Sequence, residues 1–414
     1  MTAIKRYNNS VSDMIHGQSA PKEDVMNTID KFNSHVMQSY GRYPLVMEEG
    51  SGRRCKDENG TEYIDFGSGI GTNSLGYCDE KWADAVCAQV RTLQHSSNYY
   101  YTKVQADFAE RLCGITGKKS VFFCNSGAEA NECAIKVARK YSFDKYGKGR
   151  HTIITLVNSF HGRTIATLSA TGQDVFHNYF FPFVEGFVNV TANDIADLEA
   201  KLQDDTVCAV MLEYVQGEGG VNVLGQEFVD AVYDLCAKKD ILVITDEVQT
   251  GVGRTGKFLA GEYFGKKADI VTLAKGIAGG LPMGACLVNE KCSGVLTAGT
   301  HGSTFGGNPI ACAGGLAVLD RIESSGFLEE VNRKSEFIKS ELEKCSEVEY
   351  ITGLGLMVGI KLRSKDAHDV AQKALDRGLL ILTAKEKVRL LPPLTISYDE
   401  LKDGLKILIE ILEE

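Results

Sequence analysis

Between positions 76 and 306, short, almost wholly apolar runs alternate with stretches whose apolar residues recur at helical spacing. The runs His151 to Val157, Val207 to Leu212, Ile241 to Thr245 and Ile270 to Leu273 lack a polar face, which predicts strands covered on both sides. With helical patterns between them they predict a mainly parallel α/β sheet flanked by helices. One helix opens at Asn125-Ser126-Gly127-Ala128 and carries Ala130, Cys133, Ala134, Val137, Ala138 and Tyr141 at helical spacing.

After position 306 the pattern changes. Asn308-Pro309 predicts a helix start leading through Ile310 to Ile322, with proline in the first turn. Ser397 and Glu400 form a capping box for a last helix with the stripe Leu401, Leu405, Leu408, Leu412. The expected organisation is an N-terminal arm and a segment of the small domain over 1–75, a large domain over 76–306, and a smaller α+β domain over 307–414. Positions 1 to about 25 are polar and aperiodic, and read as a loose arm.

A chain of 414 residues exceeds what one core usually serves, in keeping with two domains. Its net charge of −10 argues against a nucleic-acid or anionic-membrane partner. The first residues hold no apolar core of signal-peptide length and no stretch approaches a membrane span, so a cytoplasmic location is expected. The twelve cysteines are scattered without a Cys-x-x-Cys pair and read as reduced core thiols; the eight histidines show no ligand spacing, so no metal is expected.

The chemistry concentrates at strand ends. Lys275 follows the run Ile270 to Leu273 and precedes a glycine-rich turn. There it is either a solvated loop lysine or an amine neutralised by burial and ready to attack an aldehyde. Asp246 ends the run Ile241 to Thr245, where it either caps the strand or holds a cationic ring nitrogen. If the backbone stays extended, Val248 shares its face. Ser126, Gly127 and Ala128 open a helix whose free amides suit a phosphate, although Ser126 and Glu129 also form an ordinary capping box. Phe160 and Arg163 lie in a strand-end loop, suited to ring stacking and carboxylate binding or equally to core packing and a surface ion pair. His161 between them reads as packed or hydrogen-bonded. Glu218, in a glycine-rich stretch, and Arg389, near the C-terminus, suit opposite roles toward a second carboxylate.

Gly251-Val252-Gly253-Arg254-Thr255-Gly256-Lys257 fits the dinucleotide fingerprint G-x-G-x-x-G and offers a competing reading as a nucleotide-binding protein. Against it, Phe258 stands where a P-loop needs Ser or Thr, and no strong helical pattern follows Gly256.

Six blocks in order carry a family resemblance: YGRYPLV at 40–46, FFCNSGAEANECAIKVARKY at 122–141, FHGRTIATLSATGQ at 160–173, DEVQTGVGRTGKF at 246–258, TLAKGIAGGLPMGA at 272–285 and HGSTFGGNP at 301–309. Over roughly positions 26 to 414 the chain resembles the class III, fold type I pyridoxal-phosphate aminotransferases, with the acetylornithine branch the most similar. The resemblance implies that fold, pyridoxal 5'-phosphate as cofactor, and transamination between N2-acetyl-L-ornithine and 2-oxoglutarate, yielding N-acetylglutamate 5-semialdehyde and glutamate. Ornithine, succinylornithine and 4-aminobutyrate are the alternative donors.

By the same resemblance Lys275 would carry the cofactor as a Schiff base, Asp246 would pair with its ring nitrogen, and Gln249 would touch its phenolic oxygen. Phe160 and Val248 would sandwich the ring, while Gly127 and Ala128 would cradle the phosphate. Thr304 would reach the phosphate held by a neighbouring subunit, which implies a homodimer, and Ser303 would lie close to substrate. Arg163 would hold the α-carboxylate, with Glu218 and Arg389 as the switch between the two substrates. The sequence departs from the family pattern at Gly71-Thr72, Tyr77 to Glu80, Lys103-Val104 and Tyr214.

Overall fold

The computed structural model describes residues 26–414, so the arm expected over positions 1 to about 25 lies outside the described residues. The described chain divides after Glu48 into two units. The first carries the helix Thr28–His35, capped by Asn27, whose side chain accepts from the Asp30 amide at 2.9 Å.

The second unit is built on a seven-stranded sheet in the order Ser120–Cys124, Gly284–Val288, Ile270–Leu273, Leu242–Asp246, Val207–Leu212, Thr152–Leu156, Phe187–Val190. Neighbours are parallel except around Gly284–Val288, which runs against both of its partners. Five of these strands are buried along their whole length, because each face of the sheet is covered. Side chains alternate between two cores. Ile154, Val210, Leu212, Val243 and Val271 enter one, and Ile153, Met211, Ile244 and Ile270 enter the other together with Cys133, Ala134, Val137 and Ala138. The latter four belong to the helix Gly127–Tyr146, whose small buried residues let it lie close on the strands.

A second antiparallel sheet joins Val348–Leu354, Met357–Leu362, Lys387–Leu390 and Leu382–Ala384. The strand Glu62–Asp65 pairs antiparallel with Arg54–Asp57 and parallel with Leu379–Leu380, tying the early chain to its last quarter. Around these strands a separate core collects Ile64, Phe66, Val331, Ile338, Leu401, Leu405, Leu408 and Leu412. The capping box at Ser397 and Glu400 is present as expected. The helix Pro309–Ile322, assigned from sequence to the C-terminal part, packs differently: Cys312, Val318, Leu319 and Ile322 enter the first core. Its Gly315 admits the ring of Phe108, since a Cβ there would stand 2.6 Å from Phe108 Cζ.

The topology decides where chemistry gathers. Six strands point the same way, so Asn125, Asn158, Glu213, Asp246 and Lys275, which terminate or follow five of them, come to one edge of the sheet.

Candidate active site

At that edge lies a cavity of about 420 Å³ whose lining includes Ser126, Gly127, Ala128, Phe160, Arg163, Glu218, Asp246, Val248, Gln249 and Lys275. These are ten of the expected site residues, drawn from segments up to about 150 positions apart. Arg389, Ser303 and Thr304 do not line it.

Lys275 begins a short 3-10 helix immediately after its strand, with φ at +50°, a backbone region that non-glycine residues seldom occupy. Such a conformation costs on the order of 1 to 3 kcal/mol and persists where the surroundings hold it. Its ammonium makes no hydrogen bond or ion pair among the described residues. Burial lowers its pKa, Glu218 works against that shift, and Arg389 adds to it. A desolvated lysine without a bonded partner is an amine available for condensation.

Asp246 is held from three sides. Its Oδ2 accepts from Asn131 Nδ2 at 2.7 Å and faces His161 Nδ1 at 2.8 Å, while its Oδ1 accepts from the Val248 amide at 3.0 Å. The last contact shows that the chain turns at Val248 instead of staying extended, contrary to the expectation from strand alternation. The carboxylate, by accepting the amide two residues on, draws the backbone into the turn. Val248 still lines the cavity. Asn131 and His161 were not assigned from sequence as partners of Asp246. Asn131 sits on the helix next to Glu129, and only the fold brings it 2.7 Å from a residue 115 positions later.

A second acid, Glu213, follows its strand and is buried. Its oxygens accept from the amides of Phe160 at 3.0 Å and Gly217 at 3.3 Å. Burial pushes its carboxyl up to about 7, with His161 opposing and Asp246 adding. It therefore positions the Phe160 loop and the Gly217 turn at the cavity.

At the other end, Ser126 caps the helix by accepting from the Glu129 amide at 3.2 Å, and Glu129 accepts from the Asn125 amide at 2.5 Å. The serine half of the expected capping box is therefore present, while the Glu129 carboxylate returns to the Asn125 amide instead of that of Ser126. This arrangement leaves the Gly127 and Ala128 amides without partners among the described residues, facing the cavity on the positive end of a twenty-residue helix. Gly127 is required for close packing, since a Cβ there would lie 2.7 Å from Val248 Cγ1.

Phe160 meets Phe176 edge-on at 5.9 Å, and the Arg163 guanidinium stacks on Phe176 at 4.1 Å. Arg163 forms no ion pair among the described residues, so its fork is available to a carboxylate. Arg389 is buried and bonded: its Nη1 reaches Glu218 Oε1 at 2.6 Å, Nη2 reaches Oε2 at 3.3 Å, and Nη1 also donates to Gln249 Oε1 at 3.3 Å. Gln249 in turn donates to Glu218 Oε1 at 3.2 Å. For Glu218, burial acts upward, but the Arg389 guanidinium and the hydrogen bonds outweigh it and hold the carboxyl below its usual value. Ser303 Oγ accepts from Asn125 Nδ2 at 3.2 Å and from the Gly306 amide at 3.0 Å, and Thr304 is exposed.

The segment Gly251 to Lys257 is a packed linker. Residues 251–256 are buried in turns, no helix opens at their end, and Arg254 donates to the carbonyls of Leu356 at 2.9 Å and Pro392 at 2.6 Å. Gly256 faces the Asn332 side chain so closely that a Cβ would stand 2.0 Å from its Oδ1. No phosphate cradle remains there.

The residues present fit pyridoxal phosphate: an unbonded amine, a fixed buried carboxylate, and a helix start with free amides border one cavity. A family profile described as aminotransferase class-III matches residues 36–412. An acetylornithine aminotransferase of Haemophilus ducreyi is 51% identical over 92% of this chain and 97% of its own length. Among solved structures, an N-acetylornithine aminotransferase from Stenotrophomonas maltophilia superimposes with a TM-score of 0.80 at 34% identity, over 90% of this chain and 96% of that one. The ornithine aminotransferase of Toxoplasma gondii gives 0.88 at 32% identity, over 92% and 93%. With fold, cavity and relatives in agreement, this chain belongs to the class-III aminotransferases.

Proposed function

We propose that the chain transfers the amino group of N2-acetyl-L-ornithine to 2-oxoglutarate with pyridoxal 5'-phosphate as cofactor, a step of arginine biosynthesis. The observation that carries it is the unbonded, desolvated Lys275 amine in one cavity with the buried Asp246 and the free Gly127 and Ala128 amides. The acetylornithine names of relatives at 40% identity and above support the donor.

When bound, the cofactor supplies an aldehyde that condenses with amines and a cationic ring that accepts an electron pair. Lys275 holds it covalently through Nζ. With its amine free, Lys275 would act as general base and then general acid, accepting the proton of the substrate's amine-bearing carbon at Nζ and releasing it again. Asp246, fixed by Asn131 and His161, keeps the ring nitrogen protonated. The amides of Gly127 and Ala128 hold the phosphate, next to the Ser126 cap, while Phe160 and Val248 flank the ring and Gln249 reaches its phenolic oxygen.

Arg163 binds, through two parallel hydrogen bonds, the carboxylate remote from the reacting carbon, which is the α-carboxylate of the acetylated donor and the far carboxylate of 2-oxoglutarate. Glu218 covers Arg389 while the acetylated donor, which lacks a second carboxylate, is bound. It yields Arg389 to the second carboxylate of 2-oxoglutarate. Ser303 lies near the substrate, and Thr304 completes the phosphate site of a second copy in a homodimer. The exposure of Thr304, Tyr99, Tyr101 and Phe305 supports that assembly. A cytoplasmic location and a division into parts at 1–75, 76–306 and 307–414, with the helix Pro309–Ile322 of the last part joining the core of the large sheet, complete the proposal.

The decisive experiment is the visible spectrum of the cofactor-loaded protein. A band above the protein absorption that disappears on borohydride reduction, and that Lys275→Ala lacks, is expected; a protein that remains colourless with added cofactor refutes the reading. Ornithine, succinylornithine and 4-aminobutyrate, run beside N2-acetyl-L-ornithine with 2-oxoglutarate, test the donor. Glutamate from 4-aminobutyrate and none from the acetylated donor would overturn it.

A further inference from the structure

Away from the active site, a cavity of about 210 Å³ is lined by Cys133, Cys286, Cys292 and His301, among others. Its outer wall includes the exposed Thr297 and the partly exposed His301, while Cys133 and Cys286 are each 1% exposed. At about 30 Å³ per water molecule it has room for several. Cys133 projects into it from the helix Gly127–Tyr146 and Cys286 from the strand Gly284–Val288.

Each thiol is the leading influence on the other's ionisation in this cavity, and Cys133 is also influenced by His301. One turn along the same helix, Lys136 Nζ lies 2.9 Å from His301 Nδ1 and 3.1 Å from the Thr300 carbonyl. An ammonium donating to Nδ1 leaves the other ring nitrogen as the N–H donor. A thiolate at Cys133 is therefore favoured by Cys286 and His301, with Lys136 behind the latter. Burial acts in the opposite direction, and the balance lowers Cys133 to about 6 while Cys286 is raised as its donor. The other groups facing the pair are Cys124, beside which Glu129 stands, and Cys292.

We propose that Cys133 and Cys286 form a reactive dithiol that hydroperoxides reaching this cavity convert to an intramolecular disulfide. The Cys133 thiolate attacks the peroxide oxygen and takes one oxygen as a sulfenic acid, while the other leaves as hydroxide and is protonated to water. The Cys286 sulfur then attacks the Cys133 sulfur, forming the S–S bond and releasing the sulfenic oxygen with a proton as the second water. Two thiols are oxidised and one peroxide is reduced to two waters.

The position couples this chemistry to the active site. The helix carrying Cys133 opens at the Gly127 amides, and His301 stands two residues before Ser303, which accepts from Asn125 of the same loop. Closing the disulfide draws the sulfurs to about 2.05 Å and removes the thiolate that His301 faces.

Mapping of linked and alkylated peptides after treating the cofactor-loaded protein with equimolar hydrogen peroxide tests the proposal without using turnover, so its result stands apart from that of the donor assays. The Cys133–Cys286 linked peptide is expected as the first product. Cys286→Ala should stop at a Cys133 sulfenic acid trapped by dimedone. His301→Gln should slow Cys133 oxidation at neutral pH by about tenfold, because an ordinary thiol near pKa 8.5 is only a few per cent ionised there. Cys78 and Cys87, both exposed, serve as internal references in every sample. If they are oxidised while Cys133 and Cys286 stay reduced, or if His301→Gln leaves the Cys133 rate unchanged, the proposal fails.

Discussion

Replacing Glu218 by glutamine isolates the electrostatic part of the proposed substrate switch. Glu218 meets Arg389 through two contacts at 2.6 and 3.3 Å, and its side chain is 30% exposed against 4% for that of Arg389. Removing one partner of a fully buried pair costs roughly 3 to 5 kcal/mol. Solvent at Glu218 screens the interaction, and the amide of glutamine preserves a hydrogen bond, so about 1 to 2 kcal/mol is the reasonable share. 2-Oxoglutarate must displace Glu218 to reach Arg389, and in Glu218→Gln it no longer has to break a charged pair. Its half-saturation concentration should therefore fall by roughly 5- to 30-fold, the factor equivalent to 1 to 2 kcal/mol. A donor without a second carboxylate meets an uncompensated Arg389, so its half-saturation concentration should rise and the melting temperature should drop. Steady-state kinetics of each half-reaction, with the two substrates varied separately, measures both. An unchanged or increased half-saturation concentration for 2-oxoglutarate would refute the switch.

Three further outcomes follow from the site. Gly127→Ala places a Cβ 2.7 Å from Val248 Cγ1, and the overpacking should cost about 1 to 3 kcal/mol; cofactor titration should show weaker binding. Asn131→Ala removes a donor to a buried carboxylate, a loss of about 1.5 to 3 kcal/mol, measurable by denaturant unfolding; stability equal to the parent would contradict the bond to Asp246. Glu213 has a folded pKa raised to about 7 from 4.5, so its proton stabilises the fold fully below pH 4.5, and that contribution is lost as pH rises through about 7. Unfolding free energies measured at pH 5 and pH 8 should thus fall more for the parent than for Glu213→Gln, by on the order of 1 to 3 kcal/mol; parallel profiles would show that Glu213 does not titrate in that window.

Local signals carried a large share of the architecture. The run Val207 to Leu212 could be read as a doubly buried strand because six consecutive apolar residues leave no solvent face, and all six are buried. The Ser126 cap and the capping box at Ser397 were legible because they depend on residues three apart. Lys275 and Asp246 could be placed at strand ends for the same reason, but whether either was more than a loop lysine or a capping acid depended on what faced it. The turn at Val248 was missed because a side-chain carboxylate captured the backbone amide, an outcome that alternation along a strand does not encode.

By itself, the sequence determined which segments are strands and helices, which residues stand at their ends, and, through six ordered blocks, the family. Those properties follow from neighbours within a few positions, where hydrogen-bond geometry and side-chain period are fixed by the backbone. Tertiary structure alone decided that Asn131 and His161 hold Asp246, that Glu218 bonds to Arg389 across 171 positions, and that Cys133 meets Cys286. It also decided that the helix Pro309–Ile322 joins the core of the large sheet. The physical reason is that parallel strands bring their distant carboxyl ends to one edge, and burial there makes each charge or thiol depend on the partner the fold supplies.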